Sequence, residues 1–164
     1  QEQLVRALQS RSPEVREIAV NSLWDLWFHE AGTKAYQLTQ AAQKAAERGA
    51  IPKALAILTE LTQTFPDFAE GWNRRGTLYW QLGEFEKAIA DARRVVALKP
   101  DHFGAWQGMG LCQLRLGDVA GARASFRAAL KINPHDRGLR EFLWRCDELL
   151  RQTSPDRRNR DDLI

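Results

Sequence analysis

The chain has 164 residues, which is the size of one ordinary domain and is long enough to bury a core. Hydrophobic residues make up 44% and charged residues 27%, which excludes a disordered or fibrous protein. The net charge of +3 arises from interspersed signs, so the sequence does not favour a nucleic-acid or membrane footprint. The longest apolar runs fall well short of the roughly 20 residues that span a bilayer.

The first predicted element is a helical hairpin over residues 1–34. Ser12 is a good N-cap, and Pro13 suits the first position of a helix that we expect to extend to about Glu30. A short helix near the N-terminus precedes it. The predicted apolar stripe of the longer helix comprises Ile18, Val20, Leu23, Trp24, Trp27 and Phe28. We expect the hairpin to pack as a cap on the segment that follows, at 35–68.

Residues 35–136 repeat with a period of 34, which predicts three units at 35–68, 69–102 and 103–136. The features that recur at this interval include Pro66, Pro100 and Pro134; Gly49, Gly83 and Gly117; and Ala54, Ala88 and Ala122. In each unit the mid-repeat glycine is expected to end a first helix, and the proline to end a second. Gly76 and Ala88 are predicted to lie where the two helices of the second unit cross closely. A hairpin of this kind cannot cover its own apolar face, whereas stacked neighbours can.

The last predicted elements are a capping helix at 137–152 and a mobile charged tail at 153–164. Trp144 stands one period after Gly110, where a bulky side chain would keep a further second helix from approaching. We therefore expect Trp144, Leu143 and Leu149 to cover the end of the stack.

The repeat resembles the tetratricopeptide repeats, whose pattern is W-x2-L-G-x2-Y, then a mid-repeat glycine, A-x3-F-x2-A and a final proline. The second unit matches at Trp72, Gly76, Tyr79, Gly83, Ala88 and Pro100. The third matches at Trp106, Gly110, Gly117, Ala122, Phe126, Ala129 and Pro134. Arg75 and Ala92 depart from the pattern in the second unit, and the first unit keeps it clearly only in its second helix.

The resemblance implies an all-α fold, a right-handed α-solenoid in which the first helices of the units line a concave groove. It implies an adaptor that binds a peptide or partner segment there, without a cofactor, and its style is similar to bacterial or organellar members. The groove residues carried over from the family are Tyr36, Gln43, Asn73, Arg74, Thr77, Trp80, Gln81, Gln107, Leu111, Leu114, Arg115, Glu141 and Arg145.

Some groove residues have a second interpretation. Trp80 either faces the groove or packs under the N-terminal hairpin, and Arg74 either binds a partner or pairs with Glu70. The co-chaperone members of the family grip a C-terminal carboxylate with basic and amide side chains. Gly104 and Gly108 stand at two of those positions, so we do not expect that mode of binding here.

Catalytic and metal-binding motifs are not evident, and we expect neither an enzyme nor a metal site. His29, His102 and His135 are predicted to be solvated residues at a helix end and in the links between repeats. Cys112 and Cys146 are expected to be small buried hydrophobic residues rather than a redox pair.

Two further functions stay open. The first is an architectural role in self-association, through the N-terminal helix or through incompletely covered Trp24 and Trp27. For the oligomeric state, we expect a monomer or a weak homo-oligomer. The second is binding of single-stranded RNA, which the mildly basic groove disfavours. The sequence leaves the partner and the compartment unknown.

Overall fold

The computed structural model describes residues 1–153, a range that is helical and contains no strand. Each helix from α3 to α9 packs mainly on the helices immediately before and after it, which is the arrangement of a solenoid. The predicted all-α solenoid is thereby confirmed. The helices are α1 Glu2–Ala7, α2 Pro13–His29, α3 Gly32–Glu47, α4 Ile51–Thr64, α5 Ala69–Gln81, α6 Phe85–Leu98, α7 Phe103–Arg115, α8 Val119–Ile132 and α9 Arg137–Thr153.

The mid-repeat glycines end the first helix of each pair in the same way. Gly83 has φ +77°, a backbone conformation that residues other than glycine rarely adopt. The N–H of Glu84 donates to the carbonyl of Tyr79 at 2.9 Å, which closes the last turn of α5 with a Schellman bond. Gly117 has φ +80° and the same type of bond follows it. The repeated glycines therefore set the sharp turn between the two helices of a pair.

The tryptophans of the repeat pattern tie each first helix to the link before it. The indole Nε1 of Trp72 donates to the carbonyl of Pro66 at 2.9 Å, and Trp106 donates to the carbonyl of Pro100 at the same distance. A proline carbonyl is free to accept because the ring ends the preceding helix. These two contacts fix the angle at which successive helix pairs join.

Small residues let the two helices of a pair approach closely, as predicted. A Cβ at Gly76 would lie 3.4 Å from the carbonyl oxygen of Ala88. At Gly110 it would lie 2.7 Å from a ring carbon of Phe126, which is closer than real contacts allow. Gly110 is therefore required for the packing of α7 on α8.

The N-terminal hairpin packs on more of the chain than predicted. Leu23 and Trp27 are fully buried in a cluster that also contains Phe103, at the start of α7. The amide of Gln9 donates to the carbonyl of Ile132 at the end of α8, at 3.0 Å. The hairpin thus reaches the unit at 103–136, which was not predicted. It also contacts the unit at 35–68, as predicted, through the stacking of His29 on Tyr36.

The predicted stripe of α2 is confirmed except at Ile18, since Val20, Trp24 and Phe28 are half-buried beside the buried Leu23 and Trp27. Ala19, Leu23 and Trp27 are buried, whereas Ile18, which was assigned to the stripe, is 64% exposed. Apolar residues occur on more than one face of this helix, since Leu26 is also exposed. Ile18 was misassigned because periodicity separates the buried side from the exposed side sharply only when the exposed side is polar.

Helix α9 packs on α8 without using Trp144, which is 63% exposed. The buried side of α9 carries Leu139 and Cys146, together with half-buried Leu143. Trp144 lies roughly 140° around the helix from Leu139, on the side where a further second helix would pack. The prediction that Trp144 covers the end of the stack was wrong.

The predicted tail at 153–164 lies outside the described residues, apart from Thr153 at the end of α9. Within residues 1–153, none of the helices combines the length and the hydropathy that crossing a membrane requires.

Candidate functional site

The candidate site is the surface formed by α3, α5 and α7, the first helices of the three pairs, and we call it the groove. Two neighbouring cavities open along it, one between α5 and α7 and the other between α3 and α5. Thr77, which lies on α5, lines both cavities. The two cavities are therefore parts of one continuous surface.

The cavity between α5 and α7, which we call the apolar cavity, has a volume of about 200 Å³. Trp80, which is 41% exposed, lines it, so this side chain lies in the groove and not beneath the N-terminal hairpin. Asn73 and Thr77 are the polar side chains of the lining. Its other members are small or apolar: Gly76, Ala88, Ala92, Gly104, Ala105, Gly108, Leu111 and Cys112.

The cavity between α3 and α5, which we call the mixed cavity, is similar in volume and more polar. Gln43, Arg74 and Gln81 line it together with Thr77. The remaining lining residues are Thr39, Ala42, Ala46, Leu58 and Leu78. Amide and guanidinium groups donate hydrogen bonds to peptide carbonyls and carboxylates, whereas the apolar cavity excludes charge.

A buried carboxylate holds the polar residues of α5 in place. Glu70 is 1% exposed, and its two oxygens accept from Arg74 Nε at 2.6 Å and from Asn73 Nδ2 at 2.9 Å. Burial raises the pKa of Glu70, but the contact with His102 and the charge of Arg74 outweigh it and hold that pKa below its ordinary value. The interpretation in which Arg74 pairs with Glu70 is therefore confirmed.

Helix α2 lies over the end of the groove where α5 and α7 begin. A Cβ at Gly104 would lie 2.6 Å from the ring of Trp24, so the indole occupies the space that this glycine leaves. The Arg74 guanidinium is 5.0 Å from the centre of the Phe28 ring, a cation–π distance. The hairpin therefore occupies one part of the groove and leaves the two cavities beside it.

His102 is fully buried under this helix, so its prediction as a solvated link residue was wrong. Its ring stacks on Trp27 with 4.1 Å between centroids. Its Nδ1 accepts the N–H of Ala105 at 3.0 Å and so caps α7, which places the ring proton of the neutral form on Nε2. That nitrogen lies 3.7 Å from the Glu70 carboxylate. His29 and His135 are exposed, as predicted.

Other predicted groove residues lie apart from the two cavities. Tyr36 stacks on His29 at the end of α2, with 4.9 Å between ring centroids. Leu114 packs in the core beside Phe126, and the Arg115 guanidinium lies 4.9 Å from the Phe85 ring. Gln107 is half-buried on α7, and Glu141 and Arg145 are exposed on α9; none of these three lines either cavity.

The floor of the apolar cavity contains residues that sequence reasoning did not assign to the site, above all Gly104 and Gly108. In the sequence, the two glycines were interpreted only as positions that lack the side chains of a carboxylate-binding site. For Gly108 the signal is its position, because it lies in the middle of α7, where glycine weakens a helix. A glycine of this kind indicates that something must come close to the backbone. Gly104 lies in the first turn and gives no such signal.

The two cysteines are buried and free, as predicted. Burial raises the pKa of Cys112 to about 11 and also raises the pKa of Cys146. At neutral pH the Cys112 thiol is therefore protonated, and it contributes a neutral, unreactive part of the cavity wall. Within residues 1–153, no three His, Cys, Asp or Glu side chains are grouped so that they could hold a metal ion.

Comparison with known families is decisive for the repeats. The profile of the tetratricopeptide repeat (TPR) family matches residues 39–102 and again residues 74–137. The chain belongs to the tetratricopeptide repeat family. A TPR repeat-containing protein of Rhizobium etli is 34% identical over 77 residues, which are 47% of this chain and 38% of the relative. The match therefore spans well under half the length of that curated relative.

Solved TPR domains share the fold. The first TPR of Spaghetti (RPAP3), bound to the HSP90 peptide SRMEEVD, is 21% identical with a TM-score of 0.68, covering 71% of this chain and 93% of its own. The Sgt2 TPR domain from Aspergillus fumigatus is 20% identical with a TM-score of 0.66, covering 73% and 80%. The TPR2B domain of yeast Sti1, in complex with pHsp70, is 20% identical with a TM-score of 0.64, covering 71% and 98%. TPR domains are protein–protein interaction modules.

Proposed function

We propose that this TPR chain is a non-catalytic adaptor that binds a segment of a partner protein in the groove. The observation that carries the proposal is the pair of neighbouring cavities on α3, α5 and α7, which Thr77 joins. A segment lying across them would meet an apolar cavity and then the amides and guanidinium of the mixed cavity. This combination suits a peptide, which presents backbone polar groups and alternate side chains.

The proposed ligand is an internal segment rather than a free C-terminus. Arg74, the charged side chain that lines the mixed cavity, already has Glu70 as a partner at 2.6 Å. Gly104 offers no side chain, and the space beside it holds the ring of Trp24. A carboxylate clamp needs charged donors that are free to bind. Solved relatives bind HSP90 and pHsp70 sequences, and we do not extend those ligands to this chain.

The proposal is tested with a displayed library of random 12-residue peptides selected on the immobilised protein. Selected peptides are synthesised with a fluorophore, and their affinities are measured by anisotropy for the wild type, for Trp80→Ala and for Thr77→Tyr. Both positions are exposed, so the variants should stay folded. Arg93→Ala, at an exposed position of α6, is the matched control.

We expect each groove variant to weaken binding at least tenfold and the control to leave it unchanged. Equal affinities of all four proteins for every selected peptide would refute binding in the groove.

We also propose a bacterial or organellar source, which the match to a Rhizobium etli protein supports.

Self-association is a second candidate function, and the outer face of α2 favours it. Val15, Ile18 and Leu26 are exposed on this face at 42%, 64% and 42%. An apolar face of this kind is a common feature of interfaces. Sedimentation over a concentration series of wild type and Ile18→Glu tests it, because only a dimer through α2 would dissociate in the variant.

A further inference from the structure

The further inference concerns Gly108, a glycine in the middle of α7 that the fold itself does not require. Four of the eleven glycines, at positions 32, 49, 83 and 117, have a positive φ that favours glycine. Gly76 and Gly110 admit a crossing helix, and Gly104 admits Trp24. A Cβ built on Gly108 would meet nothing within 4 Å, and its φ is not positive.

Gly108 nevertheless weakens the helix in which it lies, because glycine has far more backbone freedom to lose than alanine. The space that it leaves open belongs to the apolar cavity, which Trp80 and Leu111 also line. What the open position provides is therefore room in the groove.

The chain already shows how a glycine of α7 is used. Gly104 lies four residues before Gly108, so the two lie on the same face of the helix. The indole of Trp24 fills the space beside Gly104, and its edge comes within 2.6 Å of the position that a Cβ would take. Both glycines line the apolar cavity, so the vacant part of the groove continues the surface on which Trp24 is already seated.

The lining of the cavity defines the chemistry of an occupant. Of the described residues that line it, none is charged, and Asn73 and Thr77 are the only polar side chains apart from the Trp80 indole N–H and the Cys112 thiol. Asn73 already donates to Glu70 at 2.9 Å, and the hydroxyl of Thr77 donates to the carbonyl of Asn73 at 2.9 Å. A charged side chain would lose its hydration there without gaining a partner, whereas an apolar one would gain by burial.

We propose that Gly108 keeps the cavity open for one large apolar side chain, of the size of leucine, methionine or phenylalanine, from a partner segment that lies beside α2. This inference rests on the proposed function, and it adds to it the residue that selects the side chain. Gly108 is a specificity-determining residue, because any larger residue at this position would occupy the space that the ligand needs.

The test uses Gly108→Leu, whose side chain would project into the cavity without meeting a neighbour at Cβ. Replacing a helical glycine should also raise the stability of α7, so the variant is expected to fold. Ala90→Leu, at an exposed position of α6, is the control for a new leucine on the surface. Gly108→Ala fills less of the cavity and is expected to have an intermediate effect.

The probes are N-acetyl-leucinamide, N-acetyl-phenylalaninamide and N-acetyl-serinamide, titrated at millimolar concentration into the isotope-labelled full chain and followed by NMR. We expect the leucine or phenylalanine probe to shift the amide of Gly108 and the indole N–H of Trp80 in a saturable manner. The serine probe should leave both signals in place. In Gly108→Leu the Trp80 shift should disappear, and in Ala90→Leu it should persist.

The synthetic peptides selected on the wild type separate this inference from the proposed function. If the inference is right, Gly108→Leu weakens a peptide at least tenfold, and so does replacing the peptide's large apolar residue by serine. Peptides that depend on Trp80 but bind Gly108→Leu as tightly as wild type would overturn the inference and leave the adaptor function standing. Peptides that bind every groove variant as tightly as wild type would overturn both. Probe shifts at Trp80 that persist in Gly108→Leu would overturn this inference alone.

Discussion

Arg75 and Asp91 form a bidentate ion pair between α5 and α6, beneath the surface of the second helix pair. The Nε and Nη2 atoms of Arg75 each donate to a different carboxylate oxygen at 2.8 Å. The exposed fractions of the two side chains are 15% and 5%. Nη1 of Arg75 also donates to the hydroxyl of Thr62 at 3.0 Å, so the guanidinium joins α4, α5 and α6. The bonds to Asp91 raise the pKa of Arg75.

The third helix pair has uncharged residues at the equivalent positions, Met109 and Ser125, and this difference predicts a double-mutant cycle. Asp91→Ser alone should lower the free energy of unfolding by about 3–5 kcal/mol, because it leaves the Arg75 charge buried without its partner. Adding Arg75→Met should recover most of that loss, since a buried pair often stabilises no more than an apolar contact.

Urea denaturation of the two single variants and the double variant measures this coupling. Additive losses, with the double variant less stable than either single variant, would contradict the expected exchange of one pair for the other.

The repeats could be predicted from the sequence because their signals are local. The positive φ of Gly83 ends the helix directly before it, and the Trp72 indole donates to a carbonyl only six residues earlier in the sequence. Apolar spacing within each helix then identifies the buried face, since the opposite face is polar. Arg75 was recognised as a departure from the family pattern, but its partner lies on another helix and no spacing rule predicts it.

The position of the N-terminal hairpin could be predicted only in part, because it also depends on contacts far apart in the sequence. Periodicity indicates most of the buried side of α2, but it does not indicate which helices that side packs on. His102 was misread for the same reason: its link is exposed in an isolated repeat and becomes buried only when Trp27 stacks on the ring. The same holds for the groove: the reason for a glycine at position 104 is the Trp24 ring, which lies about 80 residues earlier in the sequence.

Alanine substitutions at Gly104 and Gly108 should have opposite effects on stability. Gly108→Ala should raise the free energy of unfolding by about 0.8–1 kcal/mol, because the site is helical and open. Gly104→Ala should lower it by about 1–3 kcal/mol, because the new methyl group overlaps the Trp24 ring and must push α2 aside. Urea denaturation gives both values.

Tryptophan fluorescence reports whether α2 has moved. We expect a red shift in Gly104→Ala, as Trp24 gains solvent, and none in Gly108→Ala. Equal stabilisation by the two alanines would mean that α2 does not rest on Gly104.

The buried Glu70 carboxylate should make stability depend on pH in the acid range. Its pKa is below the ordinary value of 4.5 in the folded chain, so the ionised form stabilises the fold above that value. The contribution is lost as the pH falls from about 4.5 through the lower folded value. Glu70→Gln should therefore lower the free energy of unfolding by about 1–3 kcal/mol at pH 7, because Arg74 and Asn73 lose a charged acceptor.

The measurement is the difference in unfolding free energy between wild type and Glu70→Gln from pH 7 to pH 3. The difference should shrink as the pH falls, since both proteins then carry a neutral side chain at this position. Glu60→Gln, at an exposed position of α4, should show little difference at any pH. A gap that stays constant down to pH 3 would exclude the Glu70 charge as its source.

Trp27 and Trp144 should respond very differently to truncation. Trp27 is fully buried, stacks on His102 and contacts Phe103, so Trp27→Ala should cost about 3–5 kcal/mol. Trp144 is 63% exposed on α9, so Trp144→Ala should change the free energy of unfolding by no more than about 0.5 kcal/mol.

Urea denaturation of the two variants, followed by circular dichroism so that the lost fluorophore does not bias the signal, measures both changes. If Trp27→Ala lowers stability because it releases the hairpin from the groove, limited proteolysis should cut the variant near residue 30 much faster than wild type. The Trp144 variant should keep the wild-type cleavage rate there. Loss of several kcal/mol in Trp144→Ala would instead mean that its ring is covered in solution, and sedimentation would then show whether a second copy covers it.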